Sequence, residues 1–348
     1  MAVTCDDLKA AVEKLPRAYV ADLPTPLHDC PGFSEALGGK VRILIKREDL
    51  TGLAFGGNKT RKFDLALGEA KANGATALIT GAASQSNHAR QAAAAAAKLG
   101  MKCVLVNRYD HRSQAGIQGN ELLDYILGAD VRLVDGVNQN AEKERAVEEL
   151  RSQGEKPFLI GRRSTALGSV AYVGCLLEIL DQQEALGATA DFICTASGQG
   201  TLAGLALGIK ALGLPIRAQG FSPSKGELER RQASTADLAN EAAEILELDL
   251  RIAPGEIETT DDYVGESYGI VTEAGLEAMQ LLARTEGILL DPVYTSKAVS
   301  GMIDRIRKGE IPEGSTVVYV HTGGTPALFA YAPELIAHGN YRQNVVTP

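Results

Sequence analysis

Short apolar runs alternate along the chain with longer stretches whose apolar positions recur at helical spacing. Residues 41–46 (Val-Arg-Ile-Leu-Ile-Lys) predict a strand, as do residues 75–80, 102–106, 131–134 and 157–160. Residues 63–72, 88–99, 119–127 and 141–152 fall between or before these runs and predict helices. A second round begins near residue 165, with helices at 166–183, 202–212, 227–246, 272–285 and 297–307. Its strands are 191–196, 216–221 and 316–321. Residues 1–40 read as one helix followed by a loop. Strands separated by helices imply β-α-β units on mostly parallel sheets, an α/β fold. Nothing repeats at solenoid spacing. No proline- or serine-rich linker marks a boundary between the two rounds.

Composition narrows the class. The chain has 348 residues, of which 45% are apolar and 23% charged, enough for a large core and two domains or subdomains. A net charge of −9 argues against nucleic acid or an anionic membrane as a partner for the whole surface. The five cysteines form no C-x-x-C pair, and Cys103 and Cys194 fall inside strand-like runs. Reduced thiols in a cytoplasmic protein are expected. No signal peptide is read at the N-terminus, and no apolar run is read as long enough to span a bilayer.

Against this acidic background the cluster Lys59, Arg61 and Lys62 is local. It belongs to Gly56-Gly57-Asn58-Lys59-Thr60-Arg61-Lys62, which enters a helix. Two glycines let the backbone come close to a ligand. A lysine just inside such an element is sheltered, its pKa falls, and its amine can form a Schiff base with an aldehyde. The same residues also fit a surface helix start with solvated cations, so the rest of the chain decides.

Ser197-Gly198-Gln199-Gly200-Thr201 joins a strand to a helix, where free N–H groups and the helix dipole favour an anion. The glycine spacing is one residue too long for a dinucleotide fingerprint and is no P-loop, so a single phosphate fits better, beside the plainer reading of a tight turn. Ser84-Gln85-Ser86-Asn87-His88 precedes an alanine-rich helix. Ser86 or Asn87 is a natural N-cap, and the same N–H groups suit a substrate carboxylate. Tyr263, Tyr268 and Tyr294 lie in loops beside polar residues and are candidates to orient a substrate or donate a proton. The histidines lack ligand spacing, so no metal is expected, and no G-x-S-x-G elbow occurs.

Taken in order, Gly-Gly-Asn-Lys, Gln-Ser-Asn-His, the glycine-rich strand–helix turn, Leu-Leu-Asp-Pro-Val-Tyr and His-Thr-Gly-Gly-Thr-Pro-Ala-Leu-Phe resemble the D-cysteine desulfhydrase / 1-aminocyclopropane-1-carboxylate deaminase family. The resemblance runs from about Leu23 to Tyr331. It implies a pyridoxal 5'-phosphate enzyme of the tryptophan synthase β-like fold (fold type II). It implies a large cofactor domain of residues 1–59 and 166–348, a small inserted domain of residues 60–165, and a homodimer. Lys59 would be the Schiff-base lysine. Lys62 and the turn from Ser197 through Gly198, Gln199 and Gly200 to Thr201 would hold the phosphate. Asn87 would meet the phenolic oxygen and Thr322 the pyridine nitrogen. Ser86, Asn87 and His88 would border the substrate carboxylate, with Tyr268 and Tyr294 facing the small amino-acid substrate.

A threonine opposite the ring nitrogen leaves that nitrogen neutral, which suits β-elimination of a good leaving group. Family members that open the cyclopropane carry Glu directly after the Pro-Val-Tyr tyrosine; here Thr295 stands there. The expectation is therefore a lyase that deaminates a sulfur amino acid such as D-cysteine. Asp262-Tyr263-Val264-Gly265-Glu266-Ser267-Tyr268-Gly269 is more similar to the L-cysteate sulfo-lyase branch. Arg162 and Arg163 replace the family's small residues, Ser296 replaces a frequent glycine, and residues 109–118 lack the usual asparagines. Arginines that reached the pocket would favour an anionic side chain. The alternatives are L-cysteate sulfo-lyase, a deaminase or racemase on the same scaffold, and a non-catalytic amino-acid binding protein.

Overall fold

The computed structural model describes residues 3–109, 116–197, 199–339 and 341. Its strands are β1 (Leu27–Asp29), β2 (Arg42–Lys46), β3 (Ala77–Thr80), β4 (Lys102–Arg108), β5 (Asp130–Val134), β6 (Pro157–Leu159), β7 (Phe192–Thr195), β8 (Arg217–Phe221), β9 (Glu258–Thr260) and β10 (Thr316–Val320). The helices are α1 (Cys5–Glu13), α2 (Pro31–Ala36), α3 (Asn58–Ala72), α4 (Asn87–Lys98), α5 (Gly119–Ile126), α6 (Gln139–Ser152), α7 (Arg162–Ala185), α8 (Gly200–Ala211), α9 (Leu228–Ile245), α10 (Glu273–Glu286), α11 (Thr295–Arg307), α12 (Ala327–Ala330) and α13 (Ala332–Gly339).

Two sheets result. One runs β1-β2-β10-β7-β8-β9 and the other β5-β4-β3-β6. All pairings are parallel except β1 with β2 at the edge. Parallel neighbours need crossover connections, which is why helices separate the strands. The central strands are buried on both faces. Ile43, Leu44 and Ile45 of β2 and Val317 to Val320 of β10 have almost no exposed surface, hence their unbroken apolar runs. One face of the large sheet packs on α2, α10 and α11, the other on α7 and α8, with α9 packed against these in turn. The small sheet lies between α3 and α4 on one side and α6 on the other.

Several elements go beyond the sequence reading. β1 and β9 span three residues each, too few for a periodic signal. α2 starts at Pro31, a residue suited to the first helical turn. α7 begins four residues before its predicted start, at Arg162. It also corrects the expectation that no run could span a bilayer. Its 24 residues are long and apolar enough by length and composition, but 67% of its apolar 18-residue stretch is buried inside the protein. It is the central core helix, packed on α1, α3, α8 and α9.

α3 is anchored by an ion network with little access to water. Arg61 makes a two-point pair with Glu48, both bonds 2.7 Å, and another with Glu178, both 2.8 Å. Lys46 reaches Glu178 at 2.7 Å, and Thr25 and Tyr172 donate to Glu48 at 2.6 and 2.9 Å. Burial alone would raise the Glu48 carboxyl, yet Arg61 and its hydrogen-bonding neighbours hold it below its ordinary value. A depressed carboxyl contributes stability that is present at neutral pH and lost as the pH falls below the carboxylate range. Glu48→Gln should therefore cost about 3 kcal/mol in urea unfolding at pH 7. Glu48→Leu combined with Arg61→Met should cost less than either single change, because no buried charge is then orphaned and Lys46 still faces Glu178. A double variant that loses the full sum of the two single losses would contradict this.

Candidate active site

On α3, Lys59, Lys62, Phe63 and Ala66 recur at intervals of three and four residues and so share one face. That face forms one wall of a cavity of about 460 Å³. The other walls come from the carboxyl ends of strands in both sheets. Ala196 and Ser197 follow β7, Ser222 follows β8, and Thr322 and Gly323 follow β10. Gly81 and Ala82 follow β3, and Ile160 follows β6. Carboxyl ends of parallel strands are where open α/β sheets bind ligands. A larger cavity of about 580 Å³ opens beside Arg61 and Asp64 on α3, but there these side chains are tied to Glu178 and Arg17.

The loop that delivers Lys59 depends on its glycines. Gly56 has φ 60° and Gly57 φ 122°. A Cβ at Gly56 would lie 2.0 Å from the Asp49 carbonyl, and one at Gly57 would lie 2.7 Å from Gln91 Nε2. Gln91 on α4 serves as the missing cap of α3, because its Oε1 accepts from Thr60 N at 2.7 Å and Thr60 Oγ1 at 2.8 Å. Asn58 N donates to the Thr322 carbonyl at 3.1 Å, which draws the start of α3 against the end of β10.

Among the described lining residues there is no Asp or Glu. Burial lowers the Lys59 amine below its ordinary value. Burial, and then the neighbouring Lys59 charge, push Lys62 well below its own. Both side chains keep some exposed surface, which faces the cavity. Lys62 Nζ sits at the start of α8, 3.4 Å from where a Cβ on Gly200 would stand. Among the described residues no side chain caps α8. Its first N–H groups and the Lys62 amine therefore form an anion site.

α4 starts differently. Ser86 Oγ accepts from His88 N at 3.1 Å and Ala89 N at 3.3 Å, a side-chain cap. Its hydroxyl hydrogen remains available to a ligand. His88 packs on Phe63 with ring centroids 5.0 Å apart and meets Thr80 Oγ1 at 2.8 Å. Burial and then the charges of Lys59 and Lys62 push its imidazole down to about 3, so it is neutral at pH 7. Tyr294 lines the cavity, and its hydroxyl lies 2.5 Å from that of Tyr268. Burial raises the Tyr294 phenol well above its ordinary value, so it keeps its proton. Thr295 points away from the cavity. It is fully buried and its hydroxyl donates to Asp291 Oδ1 at 2.7 Å.

The cavity thus gathers Lys59, Lys62, Ser86, Asn87, His88, Ser197, Gln199, Gly200, Tyr294 and Thr322. Thr201 and Tyr268 stand one layer back. Thr201 Oγ1 accepts from Asn58 Nδ2 at 3.3 Å, and the Tyr268 hydroxyl meets that of Tyr294. Gly198 lies outside the described residues, as do residues 110–115 of the 109–118 segment. Whether Arg162 and Arg163 reach the cavity was open from the sequence, and they do not. They occupy the exposed first turn of α7, bound to Glu241 at 2.5 Å and Glu69 at 2.6 Å, and do not line the cavity. Ser164, Thr165, Ser222 and Arg231 do line it, although the sequence reading passed over them. The one signal for the first three was their place just after a predicted strand.

A family model described as "Pyridoxal-phosphate dependent enzyme" matches residues 20–323. A protein from Burkholderia ambifaria (strain MC40-6) named 1-aminocyclopropane-1-carboxylate deaminase is 42% identical, over 94% of this chain and 99% of its own. One of the same name from Burkholderia vietnamiensis is 42% identical over 92% of this chain and 98% of its own. A crystal structure described as an ACC deaminase homologue superposes with a TM-score of 0.85 at 36% identity, covering 95% of this chain and 99% of that one. O-ureido-L-serine synthase shares the fold alone, with a TM-score of 0.62 at 17% identity over 92% and 94% of the two chains.

An anion beside Lys62 would offset the burial and the repulsion that depress its pKa, so binding should take up a proton. Calorimetry of inorganic phosphate binding at pH 7 to 9, in buffers of different ionisation enthalpy, should give proton uptake and an affinity that falls as pH rises. Lys62→Met should weaken phosphate by about tenfold and remove most of the uptake. Uptake unchanged in that variant would contradict the assignment.

Proposed function

The chain belongs to the pyridoxal-phosphate dependent enzymes, in the family of the 1-aminocyclopropane-1-carboxylate deaminases, and from that premise we propose that it is a β-elimination lyase acting on a small sulfur amino acid such as D-cysteine. The substrate and one water would give pyruvate, ammonia and sulfide. The observation that carries this reading is the cavity wall without a carboxylate among its described residues. The residues fit the cofactor: a neutral-tending amine for its aldehyde, an uncapped helix start and a second amine for its phosphate, and the hydroxyl-bearing Thr322 for its ring nitrogen.

When bound, pyridoxal phosphate supplies an electron sink that makes the α-proton of an amino acid labile. The protein's residues do the rest. Lys59 would hold the cofactor and, once displaced by substrate, take the α-proton as a general base, which its depressed pKa favours. Lys62 and the N–H groups at the start of α8 would hold the phosphate. Ser86, Asn87 and His88 at the start of α4 would border the substrate carboxylate, the Asn87 amide would meet the cofactor's phenolic oxygen, and the neutral His88 adds no charge there. Thr322 would offer the ring nitrogen a hydroxyl and not a carboxylate, which would leave that nitrogen unprotonated. Tyr294, protonated and backed by Tyr268, donates to the departing sulfur.

The names of the relatives favour a second reading, opening of the cyclopropane ring. The buried Thr295, with its hydroxyl tied to Asp291, weighs against it, because no carboxylate stands after Tyr294. L-cysteate is the third substrate in view. The homodimer, the cytoplasmic setting and the division into residues 1–59 plus 166–348 and 60–165 belong to the same proposal. All five cysteines are unpaired, and the two sheets draw on different parts of the chain.

A panel of D-cysteine, L-cysteine, L-cysteate, D-serine and 1-aminocyclopropane-1-carboxylate, scored for 2-oxo acid, tests the reading. D-cysteine should give the highest kcat/KM, and Lys59→Ala should lose both the visible cofactor band and turnover. Fastest turnover of the cyclopropane substrate would replace the proposal with the second reading. Full turnover by Lys59→Ala would remove that lysine from the mechanism.

A further inference from the structure

Arg90 is the largest fully buried side chain among the described residues. It lies one turn into α4, three residues after Asn87, and does not line the cavity. Burial lowers its guanidinium only to about 10, so it is charged at neutral pH. Its Nη1 donates to Asn87 Oδ1 at 3.0 Å and to Asn120 Oδ1 at 2.8 Å. Its Nη2 donates to the Gly56 carbonyl at 2.7 Å, in the loop that delivers Lys59.

A guanidinium has donors only, so every group it faces must present an acceptor. Both side-chain amides therefore turn their oxygens toward Arg90. Asn120 is then obliged to direct its NH2 outward, and it donates to the Gln85 carbonyl at 3.0 Å and to Asn87 Oδ1 at 3.1 Å. Asn87 Oδ1 accepts from both neighbours. Its NH2 is left facing the cavity, and no acceptor among the described residues meets it. An asparagine amide has two orientations of similar shape; here a buried cation selects one of them.

We propose that Arg90 and Asn120 are positioning residues that lock the Asn87 amide with its NH2 toward the cavity, making it a donor to the phenolic oxygen of bound pyridoxal phosphate. The inference rests on the proposed contact between Asn87 and that oxygen. The reverse amide orientation would set one oxygen against another. Because the same guanidinium holds the Gly56 carbonyl, the donor and the loop that carries Lys59 share one anchor.

The test is a mutant cycle on the apoprotein reconstituted with pyridoxal phosphate. It reads the cofactor dissociation constant and the pH midpoint of the bound cofactor's visible band. Arg90→Lys keeps a charge but loses the fork. Asn120→Ala, the milder change, removes one donor and leaves the arginine. Each should weaken cofactor binding by about tenfold. Each should also move the band midpoint upward, since an oxygen without its donor holds the neighbouring proton more tightly. In an Asn87→Ala background Asn120→Ala should alter the dissociation constant by less than about twofold, because residues acting through one group are not additive, and Arg90→Lys should keep only the smaller loss that comes from its bond to the Gly56 carbonyl. Losses that persist undiminished in that background, or an unmoved midpoint in both variants, would overturn the proposal. Wild-type affinity and midpoint in Asn87→Ala alone would instead overturn its premise.

Discussion

Two lysine amines share one cavity, three residues apart on α3, with no carboxylate on the described wall to neutralise them. Burial makes either charge unfavourable and lowers the Lys59 amine, and the Lys59 charge adds to the burial that lowers Lys62. The arrangement is stable with a neutral amine at Lys59 and an anion near Lys62. The chemistry follows from that constraint. The first amine becomes a base or a partner for an aldehyde, and the second, with the bare start of α8, becomes a phosphate seat.

Holding two unpaired lysines on a helix requires a rigid helix, and α3 is held from three directions. Near its start, Arg61 is locked between Glu48 and Glu178, a network in which two cations meet two carboxylates and the sum is neutral. At that same start, Gln91 caps Thr60 and Arg90 grips the Gly56 carbonyl. Along its length, Asp64 accepts from Arg17 Nε and from Val20 N. Paired charges on one side and unpaired amines on the other divide anchoring from chemistry. The glycines complete it, since any Cβ at Gly56 would strike the Asp49 carbonyl. A chain of net charge −9 thus encloses a cationic pocket.

The sequence made legible what depends on local pattern. Strands such as residues 41–46 and 316–321 announced themselves as buried apolar runs, and Gly56-Gly57-Asn58-Lys59 as a loop entering a helix. Ser86 read as a cap and is one. What depends on tertiary pairing was not legible. Ser222 and Arg231 reach the cavity only because β8 and α9 pack beside β7 and α8. Arg162 and Arg163 looked like candidates for the pocket, but the first turn of α7 directs them to Glu241 and Glu69 at the surface. The apolar length of α7 was hidden by scattered polar residues that its neighbours bury. Arg90 carried no signal at all: an arginine before an alanine run reads as solvent-facing until α5 brings Asn120 against it.

The central claim is that the buried amine of Lys59, and not that of Lys62, is the covalent seat of the cofactor. Borohydride reduction of the holoenzyme, followed by proteolysis and mass mapping, tests it directly. The account predicts one phosphopyridoxyl group per chain, on Lys59. The group on Lys62, or no modified lysine in protein that carries the visible band, would contradict it.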